Sequence, residues 1–145
     1  MIKIQLLRFI AWLAFVIATF SLLLMPESSL CIYSYIPDTV SHFSEFSGGM
    51  SKDLDMFYIS SIIGLLFILP LLLAYRWMYF LLLLMVYQMI QWFFLGMIES
   101  GSIIGIVLDS FNYCQNVLIL VWAVGKVLFL ILSGVFIICD FKQYS

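Results

Sequence analysis

Four long apolar blocks dominate this chain: Leu6 to Met25, Met56 to Tyr75, Trp77 to Ile98 and Val117 to Cys139. A hydrocarbon core about 30 Å thick is crossed by roughly 20 apolar residues in a helix, because lipid satisfies no backbone hydrogen bond and a helix satisfies its own. Each block meets that length. The expected fold is therefore all-α, a polytopic membrane protein in which residues 1–145 form one domain of four transmembrane helices in an antiparallel bundle. Composition agrees: 66% of the residues are hydrophobic and 10% are charged, whereas soluble domains carry about a quarter charged residues.

Lys3 and Arg8 precede an apolar core in the manner of a secretory signal. The apolar core is long, however, and LLLMPESS lacks a small-x-small cleavage site, so a retained helix is expected. Leu30 also stands before Cys31 where a lipoprotein signal needs a small residue.

Basic flanks resist translocation, and this sets the orientation. With both termini cytoplasmic, Lys3, Arg8, Arg76 and Lys142 lie inside and Lys52 outside. The exported loops, 26–55 and 99–116, then collect Glu27, Asp38, Glu45, Asp53, Asp55, Glu99 and Asp109, against Asp140 inside. Such a face attracts a basic partner, although each carboxylate is also an ordinary solvated loop residue. The compartment expected is the inner (cytoplasmic) membrane of a bacterium.

Cys31 and Cys114 fall in the two exported loops and Cys139 at the cytoplasmic end of the last block. In an oxidising compartment the first two can join the loops by a disulfide; the alternative is three free, partly buried thiols.

The first exported loop is longer than a simple helix connection, a length that often marks function. Pro37 and Asp38 are expected to start a short surface helix placing Ile36, Val40 and Phe43 on one face, with Asp38, Ser41 and Glu45 around it. Gly48 and Gly49 end it. Ser51 is expected to cap the next helix, with Asp53 and Asp55 in the first turn where the dipole favours negative charge. In the second loop, Ile103 to Leu108 is too short to span and either dips into the interface or packs back on the bundle. The GxxxG pair Gly101 and Gly105 lies outside a full apolar span and is a weak dimerisation signal.

Within the spans, Ala11, Ala14, Ala18 and Ser21 make a small-residue ridge that admits a close helix. Ser60 and Gly64 share a face, and Pro70, lacking an amide hydrogen, is expected to kink the second helix.

Lys126 stands in the middle of LVWAVGKVLFLIL, where a charge costs about 2.5–3.5 kcal/mol on insertion scales and so calls for a reason. At about 1.5 Å per residue it lies roughly 13 Å below the exported end of its helix, and Gln88 and Gln91 lie roughly 16–21 Å above the cytoplasmic end of theirs. These depths match. Gln88 and Gln91, three residues apart, share a face and can both accept from the ammonium group, with Ala123, Lys126 and Ser133 opposing them. Three readings stay open: a polar latch between the last two spans, a lysine snorkelling toward Glu99 or Asp109, or a lining residue of a transport path.

No catalytic set is expected. His42 is the only histidine, and with Asp38 and Glu45 it makes a poor metal signature. No cofactor, metal or enzymatic activity is expected; the partners expected are membrane lipid and another protein, not nucleic acid. Asp38, His42, Glu45, Asp53 and Asp55 are the candidate partner-binding residues.

GGMSKDLDMFYISSIIGLLFILPLLLAYR, Gly48 to Arg76, resembles the second helix and its exported lead-in in the immunity proteins of the colicin A and colicin N type. The resemblance rests on Met50, Ser51, Lys52 and Tyr58 followed by the apolar span, about a fifth of the chain. Ser60, Ser61, Ile62 and Ile63 depart from the family's Thr-Ala-Pro run, and the basic tail is reduced to Lys142. The resemblance implies four helices, cytoplasmic termini and protection of a bacterium from a pore-forming toxin. The competing classes are an accessory or regulatory subunit of a larger membrane complex and a small oligomeric transporter or channel.

Overall fold

The computed structural model describes residues 2–36, 39–45, 48–99 and 101–144. Along these residues run helix α1 (Ile2–Leu23), a hairpin of strands β1 (Cys31–Ile36) and β2 (Thr39–His42), and helices α2 (Gly49–Leu73), α3 (Trp77–Leu95), α4 (Ile103–Asn112) and α5 (Val117–Tyr144). Four helices are long and apolar enough to cross a membrane: Ile4–Leu23, Ser51–Leu73, Trp77–Leu95 and Val117–Gln143. The chain is a helical membrane protein. Its outer faces carry Leu66, Leu69, Leu82 and Met89 exposed, as expected where the surrounding solvent is lipid.

Small residues and tryptophan fix the packing. At Gly64 an added Cβ would lie 2.8 Å from Thr19 Oγ1, and at Gly125 2.9 Å from Ala18 Cβ and 3.2 Å from Ala14 O. The small-residue ridge of α1 therefore receives α5 at Gly125, while Gly64 of α2 meets α1 at Thr19. Trp12 Nε1 donates to Ile68 O at 2.9 Å, and Tyr58 Oη donates to Met25 O at 2.9 Å. Arg8 donates to Ala74 O, and Asp140, buried on α5, acts electrostatically on Arg8. Aromatic contacts continue the bundle: Phe15 with Phe129, Phe80 with Phe136, and Trp77 with Phe141.

The connection between α2 and α3 is only Ala74, Tyr75 and Arg76, and Pro70 falls in the last turn of α2 rather than mid-helix. The opposite end carries a cap made by the hairpin and α4. Strand pairing is antiparallel, Cys31 opposite His42, Ile32 opposite Ser41 and Ile36 opposite Thr39, with a register irregularity between Ile32 and Ile36.

Two expectations for the first loop are corrected here. Thr39–His42 is a strand, not part of a surface helix; its backbone hydrogen bonds go to Cys31–Ile36, a pairing between distant positions that helical periodicity ignores. Pro37 and Asp38 lie outside the described residues. Second, α2 starts at Gly49, so Ser51 works from inside the first turn, its Oγ donating to Gly48 O at 2.8 Å and accepting from Gly48 N at 3.4 Å. Asp53 and Asp55 consequently fall beyond that turn.

The apolar stretch of the second loop packs back on the molecule. It belongs to the amphipathic α4, which buries Ile106, Val107 and Ser110 against the hairpin and the bundle.

Candidate functional site

Two regions concentrate polar chemistry, and the cap is the first. Cys31 and Cys114 are joined by a disulfide, with Cα atoms 6.3 Å apart, and Cys139 is free. Around the bridge the backbone is held by buried side chains. Ser110 Oγ accepts from Cys31 N at 3.1 Å and donates to Cys31 O at 3.3 Å. Asn116 caps α5, its Oδ1 accepting from Ile119 N at 3.1 Å, while its Nδ2 donates to Ser29 O at 3.1 Å and Ser29 Oγ at 2.9 Å. Tyr33 and Tyr113 stack on the surface beside it, ring centroids 4.6 Å apart.

The candidate partner-binding acids separate by environment. Glu45 and Asp55 are exposed. Asp53 is only 1% exposed, its Oδ1 accepting from Glu99 N at 2.9 Å and so tying the start of α2 to the connection that follows α3. Such hydrogen bonds replace the water that a buried carboxylate loses. His42, half-buried, has Nδ1 2.6 Å from Ser28 O and 3.7 Å from the Cys114 sulfur. Since a carbonyl only accepts, Nδ1 carries the hydrogen. Glu45 Oε2 accepts from His42 N at 3.4 Å. Asp38 lies outside the described residues.

The second region is a half-open cleft of about 480 Å³ between α3, α4 and α5. Its walls are apolar, Leu95, Ile103, Val107 and Trp122 among them, and Gln88, Gln91 and Lys126 all line it. The depth match thus brings the three polar side chains to one cavity, but not to one another by hydrogen bonds. Lys126 Nζ donates to Tyr87 Oη at 2.8 Å, and Gln91 Nε2 donates to Ser60 Oγ at 2.6 Å and Ser60 O at 3.2 Å. The direct latch from Lys126 to a glutamine is therefore replaced by Lys126 to Tyr87, and Gln91 ties α3 to α2 instead.

Tyr87 escapes a search for polar residues because it reads as an ordinary aromatic of the span. Its position next to Gln88 is the signal that it lies at lysine depth. Two amide atoms, Gln88 Nε2 and Gln91 Oε1, are buried without a hydrogen-bond partner among the described residues, and so is Ser133 Oγ. Unsatisfied groups of this kind cost about 1–3 kcal/mol each in a dry interior. The cleft is thus an apolar slot with Lys126 at mid-depth and the two glutamines in its wall.

No family model, curated protein or solved structure matches the chain.

Proposed function

We propose that this chain is a membrane-embedded recognition protein of the bacterial inner membrane, with four antiparallel spans and both termini cytoplasmic. In its most concrete form it is an immunity protein that meets a pore-forming bacteriocin within the bilayer and blocks channel opening. The observation that carries the reading is the combination of a disulfide-bonded cap bearing Glu27, Glu45 and Asp55 on its surface with a side-opening cleft below it.

The disulfide supports the orientation, because such bonds persist on the oxidising side of the membrane, the side to which the basic residues also assign these loops. An acidic cap draws a basic translocated domain toward the surface, and the cleft offers an inserted apolar segment a place to pack. The resemblance of Gly48 to Arg76 to colicin A and colicin N type immunity proteins selects the toxin among possible partners.

Expression in toxin-sensitive cells is expected to protect against one pore-former and not against unrelated ones, and exchange of the cap or of α3 with a relative is expected to move that specificity. Failure to resist any pore-former, together with solute flux in vesicles containing only this protein, would replace the reading with the transporter class. Unprotected cells in which the protein copurifies with a fixed set of membrane subunits would favour the accessory subunit.

A further inference from the structure

The cleft has a polarity that identifies its occupant. Lys126, Gln88 and Gln91 sit near mid-span, whereas from there toward the cap the walls are Leu95, Ile103, Val107 and Trp122. A bilayer lipid is built the other way round, with its polar group at the interface and its hydrocarbon at the midplane. An occupant matching this slot is apolar at the interface and polar in the middle, which is the pattern of a membrane-spanning helix with one polar residue at its centre.

The donors specify that residue. Among the described residues Lys126 makes one hydrogen bond, to Tyr87, and an ammonium has three hydrogens to give. Gln88 Nε2 is a second unspent donor, and Gln91, 3% exposed, leaves Oε1 as an unspent acceptor. A carboxylate suits that ammonium, its oxygens accepting the hydrogens that Tyr87 leaves. Another copy of this chain cannot supply it, since no Asp or Glu occurs in the central part of any of its four spans.

We infer that the cleft between α3, α4 and α5 receives a transmembrane helix of a partner protein through a mid-span Asp or Glu side chain that pairs with Lys126. The inference rests on the reading of the chain as a membrane recognition protein and names the chemistry of its partner.

The test uses the full chain in phosphatidylcholine–phosphatidylglycerol vesicles, with a donor fluorophore on Cys139 and synthetic Leu/Ala helices carrying an acceptor and a single central Glu, Leu or Lys. The Glu helix is expected to bind about tenfold more tightly than the Leu helix, the size of one interhelical hydrogen bond in lipid. The Lys helix is expected to bind more weakly than either. Lys126→Met should abolish the Glu preference, and Ile104→Trp, which adds bulk at the cleft, should weaken all three helices.

Equal binding of Glu and Leu helices, a Glu preference that survives Lys126→Met, or one indifferent to Ile104→Trp would overturn the inference. Displacement of the Glu helix by oleate at lower concentration than the helix itself would assign the cleft to a carboxylate lipid instead. The outcome separates from the toxin assay. Protection without a Glu preference removes only this inference, and a Glu preference without protection removes only the immunity reading.

Discussion

Lys126 Nζ donates to the Tyr87 hydroxyl at 2.8 Å, and the same ammonium lies 4.3 Å from the centroid of the tyrosine ring. One residue thus provides both an oxygen acceptor and a π face, a pairing that tolerates a cation away from water better than either alone. Tyr87 is itself 2% exposed, packed against Phe15, Phe67 and Phe129. The pair joins α3 to α5 at the foot of the cleft.

Removing the hydroxyl by Tyr87→Phe is expected to destabilise the fold by about 0.5–1.5 kcal/mol, the range of interhelical hydrogen bonds in bilayers. Lys126→Met should abolish that sensitivity. A double-mutant cycle, followed by reversible unfolding in bicelles, measures it; additive losses would show that the two residues do not interact.

Close approach at Gly125 predicts that Gly125→Ala costs about 1–3 kcal/mol, because the new methyl meets the α1 backbone as well as a side chain. At Gly134 an added Cβ meets nothing within 4 Å, so Gly134→Ala should be neutral or slightly stabilising. Thermal unfolding of the two variants side by side checks the contrast. Equal destabilisation would argue that helix flexibility rather than contact is being lost.

The cap predicts a thiol pattern. With Cys31 bridged to Cys114 and Cys139 free, denatured but unreduced protein should take one maleimide adduct, and reduced protein three. In reduced intact cells a membrane-impermeant maleimide should reach Cys114, which is half-buried, and leave Cys139 unlabelled. Breaking a bridge of sequence separation 83 should cost about 2–4 kcal/mol of stability. Three adducts before reduction would exclude the bridge, and labelling of Cys139 from outside would reverse the orientation.

Asp53 and Asp55 should part company under mutation. Asp53→Ala removes the acceptor of Glu99 N and is expected to lower stability by about 1–2 kcal/mol. Asp55→Asn, at an exposed position, should leave the melting temperature unchanged and affect only partner binding. Melting curves for both variants, read with toxin protection, separate a structural acid from a recognition acid.

Amphiphilicity at the scale of 20 residues was sufficient to place the spans: a helix is the one conformation that hides its own backbone polar groups from lipid, so length and apolarity alone specify the elements. The small-residue ridge of α1 was legible for a related reason, since close packing demands the absence of side chain wherever it occurs. Depth along a span was legible too, because a helix rises uniformly, and this put Gln88, Gln91 and Lys126 at one level. What depth cannot carry is rotation. Whether Lys126 meets Gln88 or Tyr87 depends on how α3 turns about its axis, and that is decided by contacts of Phe15, Phe67 and Phe129 with Tyr87 and of Ser60 with Gln91. The hairpin was hidden for the same class of reason. Cys31–Ile36 and Thr39–His42 become strands by pairing with each other, under a cap that α4 and the disulfide complete from residues some 80 positions away. Local periodicity records which residues prefer lipid or core. Only the folded chain decides which polar groups find each other.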